Sequence, residues 1–304
     1  MIDLLSGFIP IMIVGLSLGS LFGLIGLGFT VIINSTQLVN FAQADFAVVG
    51  VFACWFALNF LKLPLSFGII FAVLSGILIG ILTERAIVTP LLRKGKGGLF
   101  APILGTMSVG MIAAGAIGVF TDFFWMGIPH FISTEPWKIG NIYVESQGAL
   151  IIVFTVLLVI LYWLLLNKTL IGAALRASGY NRETSILLGI QPSKMVALSF
   201  IISGAISGIA GVLCAPLAAF NAFDGLPLAI GGFVALILGG WGNPYAAVLG
   251  GITLGLIKAL LTGYFSSAHA ELASFIILIL VLTLKPEGLF PQFMIPMATR
   301  RLRG

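Results

Sequence analysis

The chain has 304 residues, 60% of them hydrophobic and only 8% charged, with a mean hydropathy of +1.18. Soluble domains carry about 25% charged residues, so a water-facing fold of this length would lack the charge to cover its surface. The net charge of +5 comes from basic residues gathered between apolar stretches, which points to orientation in a membrane rather than to nucleic acid, and no basic-and-aromatic surface pattern accompanies it.

The N-terminal segment carries Asp3 and no basic run, so a cleaved leader is not expected and the first apolar stretch reads as a retained span. A helix needs about 20 apolar residues to cross the hydrocarbon core. On that scale, apolar stretches fall at 8–33, 41–61, 65–83, 100–120, 149–166, 196–216, 226–241, 245–264 and 271–284. Helix is the economical choice for each, because an open strand in lipid leaves backbone groups unpaired. The 226–241 stretch is short and Gly-rich and reads as a broken or partial span. The expected fold is an all-α integral membrane protein of eight or nine transmembrane helices, forming a single domain over residues 1–304.

Within the first half, the segment 34–45 breaks the apolar pattern with almost no loop. Asn34, Asn40, Gln43 and Asp45 bring amide and carboxyl groups to membrane depth, where they need partners or a water-filled cavity. They are candidates for lining a path, the other reading being pairing among themselves at an interfacial turn. Small-residue repeats, Gly15-x-x-x-Gly19-x-x-x-Gly23, Gly76-x-x-x-Gly80, Gly204-x-x-x-Gly208 and Gly251-x-x-x-Gly255, fit close helix packing, within the chain or against a second subunit. Lys258 falls inside a span, either snorkelling or paired with an acid. Cys54 and Cys214 lie in separate apolar stretches and read as buried, inert thiols.

Two connections exceed what a hairpin needs. The 121–148 loop holds Asp122, Glu135 and Glu145 against a single Lys138, and its Trp125 and Trp137 suit a membrane interface. The 167–195 loop is basic, with Lys168, Arg176, Arg182 and Lys194, and has helical character over 172–188. Gly189 can close that helix and Pro192 can open the next. Arg93, Lys94 and Lys96 mark another basic loop, and Arg300, Arg301 and Arg303 end the chain. The positive-inside rule makes all three basic regions cytoplasmic. Two spans then separate the first two, an even number precedes the tail, and the N-terminus faces outside.

No catalytic constellation is visible. His130 and His269 fall in separate outer loops with no acidic or Cys partner at metal spacing. The run Lys94-Gly95-Lys96-Gly97-Gly98 lacks the order of a phosphate loop and follows no strand, so ATP binding by that route is not expected. Buried acids or His of an ion relay are sparse, which disfavours an ion-coupled carrier; an intramembrane enzyme is weaker still.

Six sets of motifs stand out along the chain: Asn40-Phe41-Ala42; Glu84-Arg85 followed by Pro90-Leu91-Leu92-Arg93; Arg176-Ala177 with Leu188-Gly189-Ile190; Ser199-Phe200 with the run Gly208 to Leu213; the runs Leu238 to Asn243 and Gly250 to Gly255; and Lys285-Pro286-Glu287-Gly288-Leu289-Phe290. Together they resemble the LivH type of branched-chain amino-acid ABC transporter permease. They run in order from about residue 15 to 290. The chain departs from the pattern at Gln43-Ala44, where His-Gly is usual, at Asp45, where Glu is common, and at Lys258, near a frequent acid. The resemblance implies a permease domain in a bacterial cytoplasmic (inner) membrane, joined by a second permease subunit such as a LivM-type paralogue. It also implies two ABC ATPase subunits that carry ATP and Mg and an extracytoplasmic solute-binding protein. No cofactor is expected in this chain. The resemblance gives the 167–195 loop the role of ATPase coupling, with Arg176, Arg182, Glu183 and Gly189 as candidates.

Overall fold

The structure, a computed structural model, describes residues 2–94, 100–132, 137–139 and 142–290. Lys96, Glu135 and the tail residues Arg300, Arg301 and Arg303 lie outside the described residues. The chain is helical apart from a small antiparallel ribbon, β1 (Trp137–Ile139) with β2 (Ile142–Val144), in the outer loop. In order, the helices are α1 (Ile2–Thr36), a 3₁₀ turn (Phe41–Gln43), α2 (Asp45–Asn59) and α3 (Leu65–Thr83). A π turn (Glu84–Val88) and α4 (Thr89–Lys94) continue α3. Then come α5 (Phe100–Thr121), α6 (Ser146–Lys168), α7 (Leu170–Tyr180), α8 (Arg182–Leu187) and α9 (Pro192–Cys214). The last three are α10 (Gly225–Gly239), α11 (Pro244–Tyr264) and α12 (Ser267–Leu284).

Among the described residues, 7 helical segments are long and apolar enough to cross a membrane, and two shorter apolar helices, Gly225–Gly239 and His269–Leu284, accompany them. Each of the nine apolar stretches in the sequence is thus a helix, and the chain is a multi-pass membrane protein. The Gly-rich stretch is an unbroken helix of 15 residues. At 1.5 Å per residue it spans about 22 Å, short of the roughly 30 Å hydrocarbon core. The third crossing runs on through the π turn to Leu91, past the end expected at residue 83. Hydropathy could not show this, because the added turns carry Glu84 and Arg85.

The Gly repeats pair with one another inside the chain. On α1, Gly19 lies so close to α11 that a Cβ there would sit 2.7 Å from the Cα of Ile252. In return, Gly251 and Gly255 abut the backbone of Gly23 and Gly19. On α3 and α9, Gly76 meets Gly204, Gly80 meets the Phe200 carbonyl, and Gly208 meets Ala72. Lipid tails are as apolar as Leu, so such backbone approach, with its dispersion contacts, supplies the helix association that hydrophobicity cannot. The remaining faces are lipid-like: α3 presents Phe67, Ile70, Leu74, Leu78 and Leu82, and α6 presents Val153, Val156, Leu157, Ile160 and Leu164.

Overpacking a tight contact costs about 1–3 kcal/mol. Gly251→Ala and Gly204→Ala are therefore each expected to lower the thermal midpoint of the purified protein in mild detergent by several degrees. Gly115→Ala is the control, since nothing lies within 4 Å of a Cβ there, and it should leave the midpoint unchanged or raised. Equal behaviour of the three variants would refute the packing account.

Candidate functional site

The polar break lies at membrane depth, and several helices build it. α1 ends at Thr36, whose hydroxyl donates to Ile32 O (2.8 Å) and accepts from the Leu38 amide (3.1 Å). Gln37 takes a left-handed conformation at φ 59. Asn40 then caps the 3₁₀ turn, its Oδ1 accepting from the Ala42 amide at 3.2 Å. The Phe41 amide donates to Thr106 Oγ1 of α5 at 3.1 Å. α2 starts at Asp45, beside Gly110 of α5, the midpoint of a 22-residue crossing. The start of α2 therefore sits about halfway through the membrane, and the break leads to it from the inner end of α1. α10 begins there too, because a Cβ on its first residue, Gly225, would overlap the Asp45 carboxylate, as would one on Gly110.

The four path candidates have different surroundings. Asn34 lies at the inner end of α1, where its Nδ2 donates to Gly242 O at 3.0 Å. Asn40 is buried and its Nδ2 has no partner. Gln43 is fully buried: its Nε2 donates to Ser207 Oγ at 2.6 Å, and its Oε1 accepts from Ser203 Oγ at 2.7 Å. Ser203 also bonds Gly28 O at 3.0 Å, so Gln43 clamps the break to α1 and α9. Asp45 is half-buried, and no cationic side chain among the described residues pairs with it. Asn40, Gln43 and Asp45 are brought together, and Asn34 is a separate tie at the inner face. The sequence reading passed over Thr106, Gly110, Ser203 and Ser207. A signal was present for the serines, since Ser199, Ser203 and Ser207 recur every four residues on one face of α9.

Lys258 is neither snorkelling freely nor near Asp45. Its Nζ lies 5.0 Å from the centroid of the Phe22 ring, and Glu271 of α12 is the acid within electrostatic range. Cys54 and Cys214 are free and buried. Glu84 is also buried and accepts a hydrogen bond from Thr89 Oγ1 within the π turn.

On the outer side, loop 121–126 is tied to the segment before α10. Met126 and Phe220 exchange backbone hydrogen bonds of 2.7 and 3.0 Å, and Asn221 Nδ2 donates to Phe123 O at 2.8 Å. The Phe123 and Phe223 rings stack at 5.7 Å. Asp224 accepts from the Asn221 amide at 2.7 Å.

The inner loop is two helices rather than one. Asn181 adopts an extended conformation, and its Oδ1 caps α8 by accepting from the Thr184 amide at 3.0 Å. Sequence periodicity ran through this residue because the apolar pattern is unbroken across it. Thr169 caps α7 by accepting from the Gly172 amide at 3.0 Å. Gly189 closes α8 at φ +77, with its amide on Ile186 O (3.0 Å) and that of Ile190 on Ser185 O (3.0 Å), a Schellman ending. Pro192 opens α9. Arg176 bonds Leu166 O at the end of α6, where a cation also meets the negative end of the helix dipole. Arg182 and Glu183 are exposed, as are Leu170 (90%) and Leu187 (86%).

Many crossings, a crossing interrupted by polar groups at mid-depth and an apolar helix pair on the inner side describe a multi-pass membrane transport subunit. The chain belongs to the family described as "Branched-chain amino acid transport system / permease component", which matches residues 11–284. It is 30% identical over 285 residues to a probable branched-chain amino acid transport permease protein LivH of Methanocaldococcus jannaschii, covering 88% of this chain and 87% of that one. It is 25% identical to the high-affinity branched-chain amino acid transport system permease protein LivH of Escherichia coli, over 93% of this chain and 95% of the relative. The BraD permease protein of the corresponding system in Pseudomonas aeruginosa is 27% identical, over 90% and 93%.

Removing the Gln43 clamp leaves the buried Ser207 hydroxyl without its partner and Ser203 with Gly28 O alone, at about 1–3 kcal/mol. Gln43→Leu should lower the thermal midpoint, and transport should fall only as far as folded protein is lost. If transport collapsed while the midpoint held, Gln43 would be a path residue rather than a clamp.

Proposed function

We propose that this chain is one permease subunit of an ABC importer of the bacterial cytoplasmic membrane, carrying branched-chain amino acids or a related small amino acid, amide or carboxylate. It works with a second permease subunit, two ATPase subunits that supply ATP and Mg chemistry, and an external binding protein, and it has no enzymatic activity of its own. Family membership across residues 11–284 carries this reading, and the surface of α7 and α8 supports it. Leu170, Ile171, Ile186, Leu187 and Leu188 are exposed there on the side that the positive-inside rule makes cytoplasmic. An apolar patch facing water marks a protein contact. In the coupling role Arg182 and Glu183 form its charged rim, while Arg176 and Gly189 hold the helix pair in shape.

Asn34, Asn40, Gln43 and Asp45 belong to the translocation path on this reading, in two manners. Asp45 and the unpaired amide of Asn40 offer groups to a solute, and Asn34 and Gln43 hold the interrupted crossing open against its neighbours. A mid-depth break suits alternating access, because a short segment can be exposed to either side by small movements of the helices around it.

Affinity purification from the native membrane in mild detergent tests the proposal. ATPase subunits and a second permease should be recovered with the wild-type chain. Leu187→Asp and the charge reversal Arg182→Glu should each cut ATPase recovery at least several-fold while the chain itself stays folded. Recovery of the folded chain alone after crosslinking, with uptake driven by an imposed ion gradient, would overturn it in favour of a secondary carrier.

A further inference from the structure

Asp45 has no cationic partner among the described residues, and Asp224, the N-cap of α10, is a second carboxylate one residue from a glycine that Asp45 touches. Asp45 lies at mid-depth and half-buried, against two glycines on different helices, Gly110 and Gly225. Neither glycine contributes a side chain that could bond it, and either would displace the carboxylate if it did. Lys258 of α11 is occupied over Phe22. The N-termini of α2 and α10 meet at Asp45 and favour a negative charge there, yet α10 donates no hydrogen bond to it. An acid so placed is costly to keep and is characteristic of a solute or ion pathway.

Two aromatic rings lie outward of this acid. The Phe123 ring packs over Gly118, two turns outward of Gly110 on α5, about 12 Å along the helix. Phe223 lies two residues before Gly225. Their stacked rings are 49% and 58% exposed. Aromatic faces attract cations, ammonium groups included, through the ring quadrupole. Apolar rings at the mouth and a carboxylate beneath them favour a group that is cationic at one end and not strongly hydrated along its body.

Resting on the transport reading above, we infer that Asp45 is the binding point for the primary ammonium group of the solute, which enters past the Phe123–Phe223 pair. The permease thereby distinguishes amino acids from carboxylates and neutral amides of the same shape. Asp45 would accept hydrogen bonds from the ammonium, whose charge replaces the cation that the protein does not provide.

The test uses the complete transporter in detergent and two probes that differ at one end, isoamylamine and isocaproate. Isoamylamine should raise the thermal midpoint of the wild type in a saturable manner and leave Asp45→Asn unmoved, and isocaproate should shift neither. Asp45→Glu, which keeps the charge, should retain the response, so the comparison survives if Asp45→Asn folds poorly. No shift with isoamylamine, an equal shift with isocaproate, or an undiminished shift in Asp45→Asn overturns the assignment. Recovery of ATPase subunits in the same preparation reports separately on the transport reading. With the subunits present and the amine inert, only the ammonium assignment fails.

Discussion

Helices in lipid gain little from hiding apolar side chains from one another, so the centre of this protein is joined by backbone approach at glycine. Gly15, Gly19 and Gly23 of α1 lie against α11, with Gly251 and Gly255 returning the contact, and Gly76 and Gly80 of α3 lie against α9, with Gly204 and Gly208 returning it. The polar break depends on these two seams. α1 carries Gly28 O, and α9 carries Ser203 and Ser207, the partners that hold Gln43 in place. About an ångström of extra separation would carry these 2.6–3.0 Å bonds beyond useful geometry. The tolerance of the site is thus set by glycines outside it.

Short helices follow from the same constraint. A crossing that begins at mid-depth leaves its first amides without helical partners, and in lipid they must be satisfied locally. Asn40 and Thr106 do this at the 3₁₀ turn. Where α10 begins, an Asn221–Asp224 turn gives the chain a hydrogen-bonded approach. Three aromatic rings, Phe29, Phe41 and Phe233, fill the space inward of the break at centroid distances of 5.8–6.4 Å. They connect α1, the turn and α10 without any polar group that would compete for the amides.

The number and class of helices could be read from hydropathy because lipid imposes length and apolarity one segment at a time. The break at 34–45 was readable for the converse reason: amide and carboxyl groups at that depth violate the pattern. The partners of those groups were not readable. Gln43 meets Ser207 across 164 residues of sequence, and Asn34 meets Gly242 across 208, and no local signal fixes such distant registers. Gly110 was invisible for a simpler reason, since a wall made by the absence of a side chain leaves only one more glycine in a chain that has 38. Asn181 was missed because its capping bond competes with a helical pattern that continues on both sides. By contrast, Gly189 and Pro192 were found because a left-handed residue and a missing amide are local properties.

Two motifs that are remote in sequence, Leu238 to Asn243 and Lys285 to Phe290, meet at the inner face. The Leu289 amide donates to Leu238 O at 2.8 Å, that of Phe290 donates to Gly239 O at 3.2 Å, and Gly288 packs on Gly240. The turn they stabilise presents Gly242 O to Asn34. On the opposite side of Asn34, Gly179 of α7 lies directly on its carbonyl. Asn34, in the last turn of α1 and first in the polar break, is therefore held between the inner turn and the helix pair proposed for ATPase coupling. Arg176, bonded to the end of α6, ties that pair to a second crossing. A displacement of α7 has no side chain at Gly179 to absorb it, so backbone presses on backbone at Asn34. From there, eleven residues lead to Asp45 through the end of α1 and one 3₁₀ turn. If α7 follows the ATPase, the break is the part of the chain most directly moved, and Gln43 decides how far, because its two serines anchor the far end of the segment to helices that the glycine seams keep fixed.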